Sequence, residues 1–524
     1  MSNEFYNAEP SSSQPSGHQG PGIARRRLLQ LTGVAVAGGF LSACTSDGSV
    51  SSTPPSTTAS SASRRAGLVA GTLPIPPLLG PQVVGGTTIF RLTLQQGKSQ
   101  FLAGQTTSTF GANGDYLGPT LRAKSSDSVQ IRVTNDLGET TTLHWHGMHL
   151  PAAMDGGPMQ TIENNATWSP KFTIRQSAAT LWYHPHMMGD TLRQVGMGLV
   201  GLFILDDDDP TQKQLPHTYG VDDIPLILQA QTFDSEGQFV LDNGNRRGGR
   251  NNGGRATTLV NGAISPTIDT PDPRLRLRLL NASSQEIYTL GLADGATFHQ
   301  IASDGGLLPK PVPLSQLRLA PAERAEIVVE VPASGGTVLQ SLDRNDGGRG
   351  GRGGDNAAPT GPLLTINPAQ QKSTAGAPLP ATLTTIKRLT STSATQSRDF
   401  ILAGDDRDPT INGQSMTSMA DLMDMSNTIQ VKLDTVEVWN LINRSNDTHV
   451  FHVHNTQFQI LQRDGAPPAA NESGHKDTVV VQPDETVSII LRFTDYSDPN
   501  TPYMYHCHLL NHEDNGMMGQ FVVV

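Results

Sequence analysis

Residues 506–517, HCHLLNHEDNGM, bring three histidines, a cysteine and a methionine into one short stretch near the end of the chain. The five residues before it, TPYMY, are rich in aromatic side chains and predict the end of a β-strand. Successive side chains of a strand point to opposite faces. We therefore expect His506 and His508 to face one way and Cys507 the other, so that this strand end contributes to two neighbouring sites.

The residue types around Cys507 indicate the chemistry of its site. A thiolate, two imidazoles and a weak axial thioether are the ligands of blue-copper centres, which transfer single electrons. Cys507, His512 and Met517 supply three of these ligands. The second imidazole is expected from His449 in the segment HVFHVH (449–454), because its odd offset turns it away from the two histidines that follow.

Pairs of histidines two residues apart recur along the chain. Such a pair places both imidazoles on one face of a strand, although one pair alone is a weak indication of a metal site. Four pairs supply eight imidazoles, enough for a cluster of three metal ions, and chance or core packing does not produce such a concentration. The pairs are His144 and His146, His184 and His186, His452 and His454, and His506 and His508.

With these motifs in place, the chain from about residue 75 to its last residue resembles a multicopper oxidase. The resemblance implies an all-β fold of three consecutive cupredoxin-like Greek-key β-sandwich domains and four copper ions. It implies a type 1 site of His449, Cys507, His512 and Met517. It implies a type 2 site of His144 and His452. It implies a type 3 pair held by His146, His184, His186, His454, His506 and His508.

The resemblance also implies an activity. Four single electrons from a reducing substrate enter at the type 1 site, pass through Cys507 to the neighbouring histidines, and reduce O₂ to two waters. That reduction consumes four protons, so acids are required near the cluster. Asp155, in the segment MDGGP (154–158), and Glu513 stand where the family has such acids. The alternative interpretations are a turn-forming aspartate and a solvated carboxylate.

Two reducing substrates remain open from the sequence, Cu(I) and phenols. The C-terminal motif and residues 219–226 look most like bacterial cuprous oxidases and laccases. Thioethers are soft ligands that prefer Cu(I), and Met416 and Met419 begin a group of four methionines within ten residues, a candidate Cu(I) site linked to copper tolerance. Core packing of a short helix is the alternative. A Gly/Arg tract near 342–356 replaces the methionine-rich insertion of typical cuprous oxidases, which keeps a general laccase open.

Two non-catalytic alternatives belong to other classes. One is a copper-binding or storage module, and the other is a cell-division envelope protein that keeps the fold without its coppers. All twelve ligand positions are filled in this sequence, which argues against both.

The N-terminus predicts export. Twin arginines precede an uncharged, mildly apolar run, residues 28–43, that is too short for a good membrane span and resembles a twin-arginine signal. The run closes with LSAC (41–44), a lipoprotein-type cleavage box that makes Cys44 the candidate lipidated residue and the only expected membrane attachment. Ordinary cleavage beside an incidental cysteine is the alternative. We expect a protein of the cell envelope or periplasm.

The amino-acid composition narrows the possible fold classes and binding partners. The 53 glycines and 36 prolines, with 5% aromatic residues, indicate many turns and short strands. A net charge of −11 argues against nucleic acid as a partner. We expect a monomer whose partners are O₂ and Cu(I) or a small aromatic reductant. The predicted segments are a signal at 1–44, a flexible tether at 45–73 and domains at 74–210, 211–380 and 381–524.

Overall fold

The computed structural model describes residues 71–241, 256–343, 356–368 and 378–524. The predicted export signal, Cys44 and most of the tether lie outside the described residues. Within the described ranges strands dominate and the helices are short, which confirms the predicted all-β class. None of the helices in these ranges is long and apolar enough to cross a membrane.

The first pair of sheets is formed by residues 82–206. One sheet has the order β1-β2-β5-β7, with β3 paired to β2 and β8 to β5, and the other has the order β4-β10-β9-β6. Parallel pairing of β2 with β5 and of β4 with β10 means that the chain crosses between the sheets instead of running as a simple meander. The strands are β1 Gln82–Val84, β2 Thr87–Ser99, β3 Thr107–Ala112, β4 Leu121–Lys124, β5 Ser128–Asp136, β6 His144–His146, β7 Thr167–Trp168, β8 Lys171–Thr173, β9 Ala179–His184 and β10 Gly201–Asp206.

The second pair of sheets is formed by residues 223–368. Its sheets have the orders β13-β12-β11-β15-β20-β17-β18 and β14-β22-β21-β16-β19. The strands are β11 Asp223–Gln231, β12 Thr257–Val260, β13 Ala263–Ile264, β14 Thr267–Thr270, β15 Arg274–Asn281, β16 Tyr288–Leu292, β17 Phe298–Ser303, β18 Gly306–Leu314, β19 Gln316–Leu319, β20 Arg324–Glu330, β21 Thr337–Ser341 and β22 Gly361–Pro368.

The third pair of sheets is formed by residues 396–523. Its sheets have the orders β24-β23-β26-β30-β28 and β25-β32-β31-β27-β29. The strands are β23 Gln396–Ala403, β24 Thr410–Ile411, β25 Ile429–Val431, β26 Val436–Asn443, β27 His449–Val453, β28 Phe458–Arg463, β29 Thr478–Val481, β30 Thr486–Arg492, β31 Asp498–Cys507 and β32 Met518–Val523.

Short helices connect some of these strands. The α-helices are α1 Thr191–Gly196, α2 Met419–Met423 and α3 Leu510–Asp514, and the 3-10 helices are Ala152–Met154, Pro210–Gln214, Ser391–Ser393, Met425–Asn427 and Ala470–Glu472. Helix α2 begins with a capping box, in which Ser418 and Asp421 bond each other's backbone N–H groups and so satisfy two donors at the helix start. Helix α3 fills the short connection between β31 and β32, so it holds His512 close to the end of the strand that carries Cys507.

Each pair of sheets encloses an apolar core. In the first pair, alternate residues of β5 point inward, and Val129, Ile131 and Val133 are completely buried, as a strand with one face on a core requires. Phe400 and Trp439 occupy the corresponding place in the third pair. The predicted boundaries at 210 and 380 lie between the sheet pairs, after β10 and after β22 respectively. The division into three domains itself stays a prediction.

Candidate metal centres

The four paired-histidine segments meet between the first and the third pair of sheets. Strand β6 lies beside β9, with His144 opposite His184, and β27 lies beside β31, with His452 opposite His506. Strand pairing therefore joins two of the motifs in the first pair of sheets and the other two in the third pair. We call these two groups the halves of the histidine cluster. The halves then face each other, because the His146 ring stacks on the His452 ring at 3.7 Å between centroids. All eight paired histidines are at most 1% exposed.

Ring nitrogens of these histidines point at one another. His146 Nδ1 lies 3.3 Å from His184 Nε2, and His506 Nε2 lies 3.2 Å from Nε2 of both His186 and His454. Burial lowers the pKa of His146, His184 and His454 well below its usual value, so these rings are neutral and present lone pairs. The ring nitrogens converge in several groups of three, among them His144, His146 and His184, and His186, His454 and His506. Such groups of buried lone pairs fit bound cations, and an imidazole set suits copper.

Two further nitrogens face the same cluster without a partner. Nδ1 of His144 donates to the backbone carbonyl of Asp155 at 2.9 Å, and Nδ1 of His452 donates to that of Asp477 at 2.8 Å. Their Nε2 atoms therefore carry lone pairs, and neither has a hydrogen-bond partner among the described residues. Both ring nitrogens of His508 are without one as well. Since orphaned buried polar atoms are costly, these positions fit metal ligation.

A second, smaller site lies on the other face of β31. Cys507 Sγ is 3.7 Å from His449 Nδ1 and 3.5 Å from His512 Nδ1, and all three side chains are completely buried. Burial acts to raise the pKa of Cys507, but contacts with the two imidazoles outweigh it and lower that pKa to about 5. Met517 is buried too, and its backbone carbonyl accepts a hydrogen bond from Cys507 N. This donor set fits a mononuclear copper.

In each imidazole of this smaller site Nδ1 faces Cys507, and the remaining nitrogens, the two Nε2 atoms, have different partners. His449 Nε2 lies 2.8 Å from Ser445 Oγ, whereas His512 Nε2 lies 2.8 Å from Asp406 Oδ1. Burial acts to lower the pKa of His512, but Asp406 and Cys507 raise it to about 9. Asp406 is 66% exposed in its side chain, so its carboxylate separates the buried imidazole from solvent. Nothing in the sequence pointed to Asp406, which lies 106 residues from its partner.

Comparisons with known proteins agree with this geometry. Two family models described as multicopper oxidase match residues 93–210 and 382–524. The chain is 35% identical, over 86% of its length and 91% of the relative, to a multicopper oxidase of Staphylococcus aureus. This chain belongs to the multicopper oxidase family. It is also 35% identical, over 96% of its length and 98% of the relative, to the cell division protein FtsP of Sodalis glossinidius.

Solved multicopper oxidases share the fold as well. A laccase from Pediococcus acidilactici has a TM-score of 0.76 and 31% identity, covering 87% of this chain and 94% of that one. A laccase-like multi-copper oxidase from Ochrobactrum sp. has a TM-score of 0.75 and 31% identity, covering 86% of this chain and all of that one. The family implies copper as the metal of the two histidine-rich sites described above.

The two candidate acids of this multicopper oxidase both lie at the histidine cluster. Asp155 is 2% exposed, and its Oδ2 accepts a hydrogen bond of 2.6 Å from His454 Nδ1. Its Oδ1 lies 3.5 Å from His144 Nδ1 and has no hydrogen-bond partner among the described residues. Burial raises the pKa of Asp155 well above its usual value. The turn interpretation holds alongside this one, because Gly156 follows with a φ of +78°.

Glu513 is not the solvated carboxylate of the alternative interpretation, because it is 1% exposed. Its Oε2 lies 3.1 Å from His506 Nδ1 and its Oε1 3.4 Å from His186 Nδ1. Burial acts to raise the pKa of Glu513, but the two imidazoles hold it well below its usual value. Helix α3 thus carries His512, a predicted ligand of the smaller site, and one residue later a carboxylate that lies at the larger site.

The methionines proposed for Cu(I) fall into two environments. Met416 is 8% exposed and packs against Met504 and Met518, as the core-packing alternative describes. Met419 and Met423 lie on α2 and are 41% and 66% exposed. The structure therefore does not bring Met416 and Met419 onto one accessible surface, since the five-residue α2 starts only after Met416 has turned inward.

Proposed function

We propose that the protein is an oxidase that couples four one-electron oxidations of a reducing substrate to the four-electron reduction of O₂ to water. The observation that carries this proposal is that every ligand position is filled and buried, in two sites joined by one strand end. The type 1 copper would be held by His449, Cys507, His512 and Met517, the type 2 copper by His144 and His452, and the type 3 pair by His146, His184, His186, His454, His506 and His508. Copper bound there supplies one-electron redox chemistry and the reduction of O₂.

The chain provides the connection between the two sites. Cys507 is joined through single peptide units to His506 and to His508, and the rings of both histidines lie in the cluster. Because β31 pairs with β27, the backbone at this point is fixed on one side by Phe451 and His452. An electron that reaches the Cys507 thiolate therefore has a short covalent path to the cluster.

Protons for the reduction of O₂ are assigned to Asp155 and Glu513. Both carboxyl groups are buried at the cluster and lie within 3.5 Å of histidine nitrogens. Asp155 keeps one oxygen without a partner among the described residues, so it is placed to hand on a proton. Glu513 lies between His506 and His186, on the side of the cluster nearest to α3.

Electron donors are expected to arrive at Asp406. Its exposed carboxylate covers Nε2 of His512, so a donor approaching the type 1 site from this side meets a negative charge that can also accept a hydrogen bond. Such a group favours donors that are cationic or carry an acidic proton. Cu(I) and phenols both meet this description.

Cu(I) is the donor we favour, with a role in copper tolerance, because Met419 and Met423 offer exposed thioethers next to the third pair of sheets. A general laccase that oxidises phenols or other small donors is the second candidate, supported by the likeness to the Pediococcus acidilactici laccase. A role without turnover, as a copper-binding or cell-division protein, fits a complete buried ligand set less well.

Oxygen consumption of the copper-loaded protein tests these candidates. Uptake would be measured with Cu(I) and with dimethoxyphenol, with and without added Cu(II), in the wild type and in Met419→Ser/Met423→Ser, with the buried Met416→Ser as the matched control. Fast Cu(I) turnover impaired only by the exposed pair supports a cuprous oxidase. Phenol turnover without added Cu(II), unaffected by the exposed pair, supports a laccase. No uptake with either donor at full copper loading contradicts the oxidase proposal.

Location and assembly are proposed on the sequence alone. We propose that the protein is exported by the twin-arginine route to the cell envelope, anchored through lipidated Cys44, and that it acts as a monomer. Fractionation of cells that carry the wild type or Cys44→Ala tests the anchor, since loss of membrane association in the variant is the expected outcome.

A further inference from the structure

A buried arginine from the second pair of sheets reaches the histidine cluster. Arg324 begins β20 and is completely buried. Its Nη1 and Nη2 donate to the two carboxylate oxygens of Asp477 at 2.7 and 2.6 Å. The other three N–H groups donate to the backbone carbonyls of Thr180, Ala322 and Asp304. All five donors of the guanidinium are thus used, which holds its plane and the carboxylate in one geometry.

Asp477 in turn fixes the ring of His146. Its Oδ1 lies 3.1 Å from His146 Nε2 and also accepts a 2.9 Å hydrogen bond from Thr478 Oγ1. A carboxylate paired with a guanidinium only accepts, so Nε2 must carry the ring proton. Nδ1 is left as the lone pair, and it is Nδ1 that faces His184 Nε2 at 3.3 Å. The carboxylate therefore selects both the tautomer and the orientation of a predicted type 3 ligand.

Gly147 gives an independent indication that this contact is built into the chain. It follows His146 with a φ of +85°, and a Cβ atom at this position would lie 2.7 Å from both Arg324 Nη2 and Asp477 Oδ2. Only glycine lets the ion pair approach the backbone of the ligand strand so closely.

Asp477 could instead be read as a metal ligand, because it forms a potential ligand group with His146 and His452. The hydrogen bonds argue against this reading. Both carboxylate oxygens are held by Arg324, and a second cation on the same oxygens would lie next to the guanidinium charge. Asp477 therefore acts through His146 and not on a metal.

We propose that Arg324 and Asp477 form a positioning pair that fixes His146 for the type 3 site, so that the second pair of sheets takes part in assembling a cluster to which it gives none of the predicted ligands. This inference rests on the proposed copper-dependent function. It assigns a role to two residues that contact no substrate.

Copper binding of single variants tests the positioning pair. In Asp477→Asn and Arg324→Gln we expect copper affinity at the type 3 site to fall about 10- to 100-fold, with loss of its near-ultraviolet absorption and retention of the type 1 blue colour. Arg324→Lys keeps the charge but not the two parallel hydrogen bonds, so it should rescue only part of this loss. Copper content per chain, absorption and electron paramagnetic resonance spectra are the readouts.

Glu326→Gln is the matched control. Glu326 lies on the same strand, is equally buried, contacts Thr180 as Arg324 does, and pairs with Arg276 and Arg278, but it touches none of the cluster histidines. It should keep type 3 absorption and full copper content. An equal loss in Glu326→Gln, or wild-type copper content and type 3 absorption in folded Asp477→Asn, would overturn the positioning pair.

Thr478→Val keeps the test decisive if the larger changes prevent folding. It removes the hydrogen bond to Asp477 Oδ1, together with the 3.3 Å contacts of Thr478 Oγ1 with His146 Nε2 and His452 Nδ1, without exposing a charge. A loss of type 3 absorption smaller than that of Asp477→Asn is the expected outcome, and no loss contradicts the pair. A wild type that does not bind four coppers contradicts the proposed function instead, so the two failures are distinguishable.

Discussion

Asp155 and Asp477 hold the two halves of the histidine cluster in the same way. The backbone carbonyl of each accepts from Nδ1 of a predicted type 2 ligand in its own half, His144 and His452 respectively. The carboxylate of each reaches a predicted type 3 ligand of the other half, His454 for Asp155 and His146 for Asp477. Each aspartate thus contacts histidines of both halves of the cluster and holds the halves together.

The difference between them lies in what surrounds the carboxylate. Arg324 binds both oxygens of Asp477, whereas Asp155 makes no contact with a lysine or arginine among the described ion pairs and keeps Oδ1 unpartnered. Both oxygens of Asp477 are therefore engaged by its partner. Asp155 makes the same kind of contact but keeps one oxygen that the proposed function assigns to proton transfer. Under that proposal, one geometry serves a structural purpose on one side of the cluster and a catalytic one on the other.

The largest expected effect comes from a variant that removes proton transfer by Asp155 but keeps its hydrogen bond to His454. Asp155→Asn retains an oxygen that accepts from His454 Nδ1 but cannot transfer a proton, so kcat for O₂ reduction should fall about 10²- to 10⁴-fold with copper content unchanged. Oxygen uptake and copper analysis of the same sample are the measurements.

Asp155→Ala and Asp477→Asn are the comparison variants for this prediction. The alanine variant also loses the hydrogen bond to His454 and should lose copper. Asp477→Asn should lose type 3 copper before kcat per bound copper changes, because both oxygens of Asp477 accept from donors and an amide NH2 group on either side would face one of them. Full activity in copper-replete Asp155→Asn would show that the free oxygen of Asp155 is not needed for proton transfer.

For the stability of the copper-free protein, we expect a larger loss in Asp477→Asn than in Asp155→Asn. Asp477→Asn removes the hydrogen-bonded carboxylate partner of the buried Arg324 and leaves Asp304, at 3.8 Å, as its remaining ion pair, which costs about 3 kcal/mol of unfolding free energy. Asp155→Asn breaks no ion pair with a lysine or arginine and should change stability by less than about 1 kcal/mol. Urea unfolding of the two copper-free variants is the measurement, and equal destabilisation would contradict the difference in charge compensation.

Two glycines that follow Asp155 offer a third comparison. A Cβ on Gly156, which follows Asp155, would lie 1.8 Å from the Leu143 carbonyl oxygen, and its φ of +78° is strained for other residues by about 1–2 kcal/mol. Gly156→Ala should therefore lower the thermal unfolding midpoint clearly. Gly157→Ala is the control, since its nearest atoms lie at 3.7 Å. Similar midpoints for both variants would mean that the loop carrying Asp155 can shift without cost.

The sequence predicted the features that depend on residues close together along the chain. An alternation of two residues in a strand was enough to put His144 and His146 on one face, and the odd offset of His449 was enough to turn it to the other site. Asp477 lies 331 residues from His146, so only the packed fold brings them together. Asp406 lies on a surface loop with several other acids, and no local pattern distinguishes it from its neighbours. The inward turn of Met416 was not predictable either, because it depends on Met504 and Met518.

The smallest expected effect comes from a third aspartate that joins the same two halves at the surface. Asp495 accepts from His149 Nε2 at 2.9 Å, and this contact lowers the pKa of Asp495 below its usual 3.8. A lowered pKa in the folded state stabilises the fold above pH 3.8, and the contribution disappears as the pH falls through the lowered value. Because the side chain is 33% exposed, Asp495→Asn should cost only about 0.2–1 kcal/mol at pH 7. Thermal unfolding of both proteins at pH 7 and near pH 3 measures it, and the difference should shrink at the lower pH. A loss of unfolding free energy as large as that of Asp477→Asn would mean that burial does not explain why the aspartates at the cluster contribute more than an ordinary surface contact.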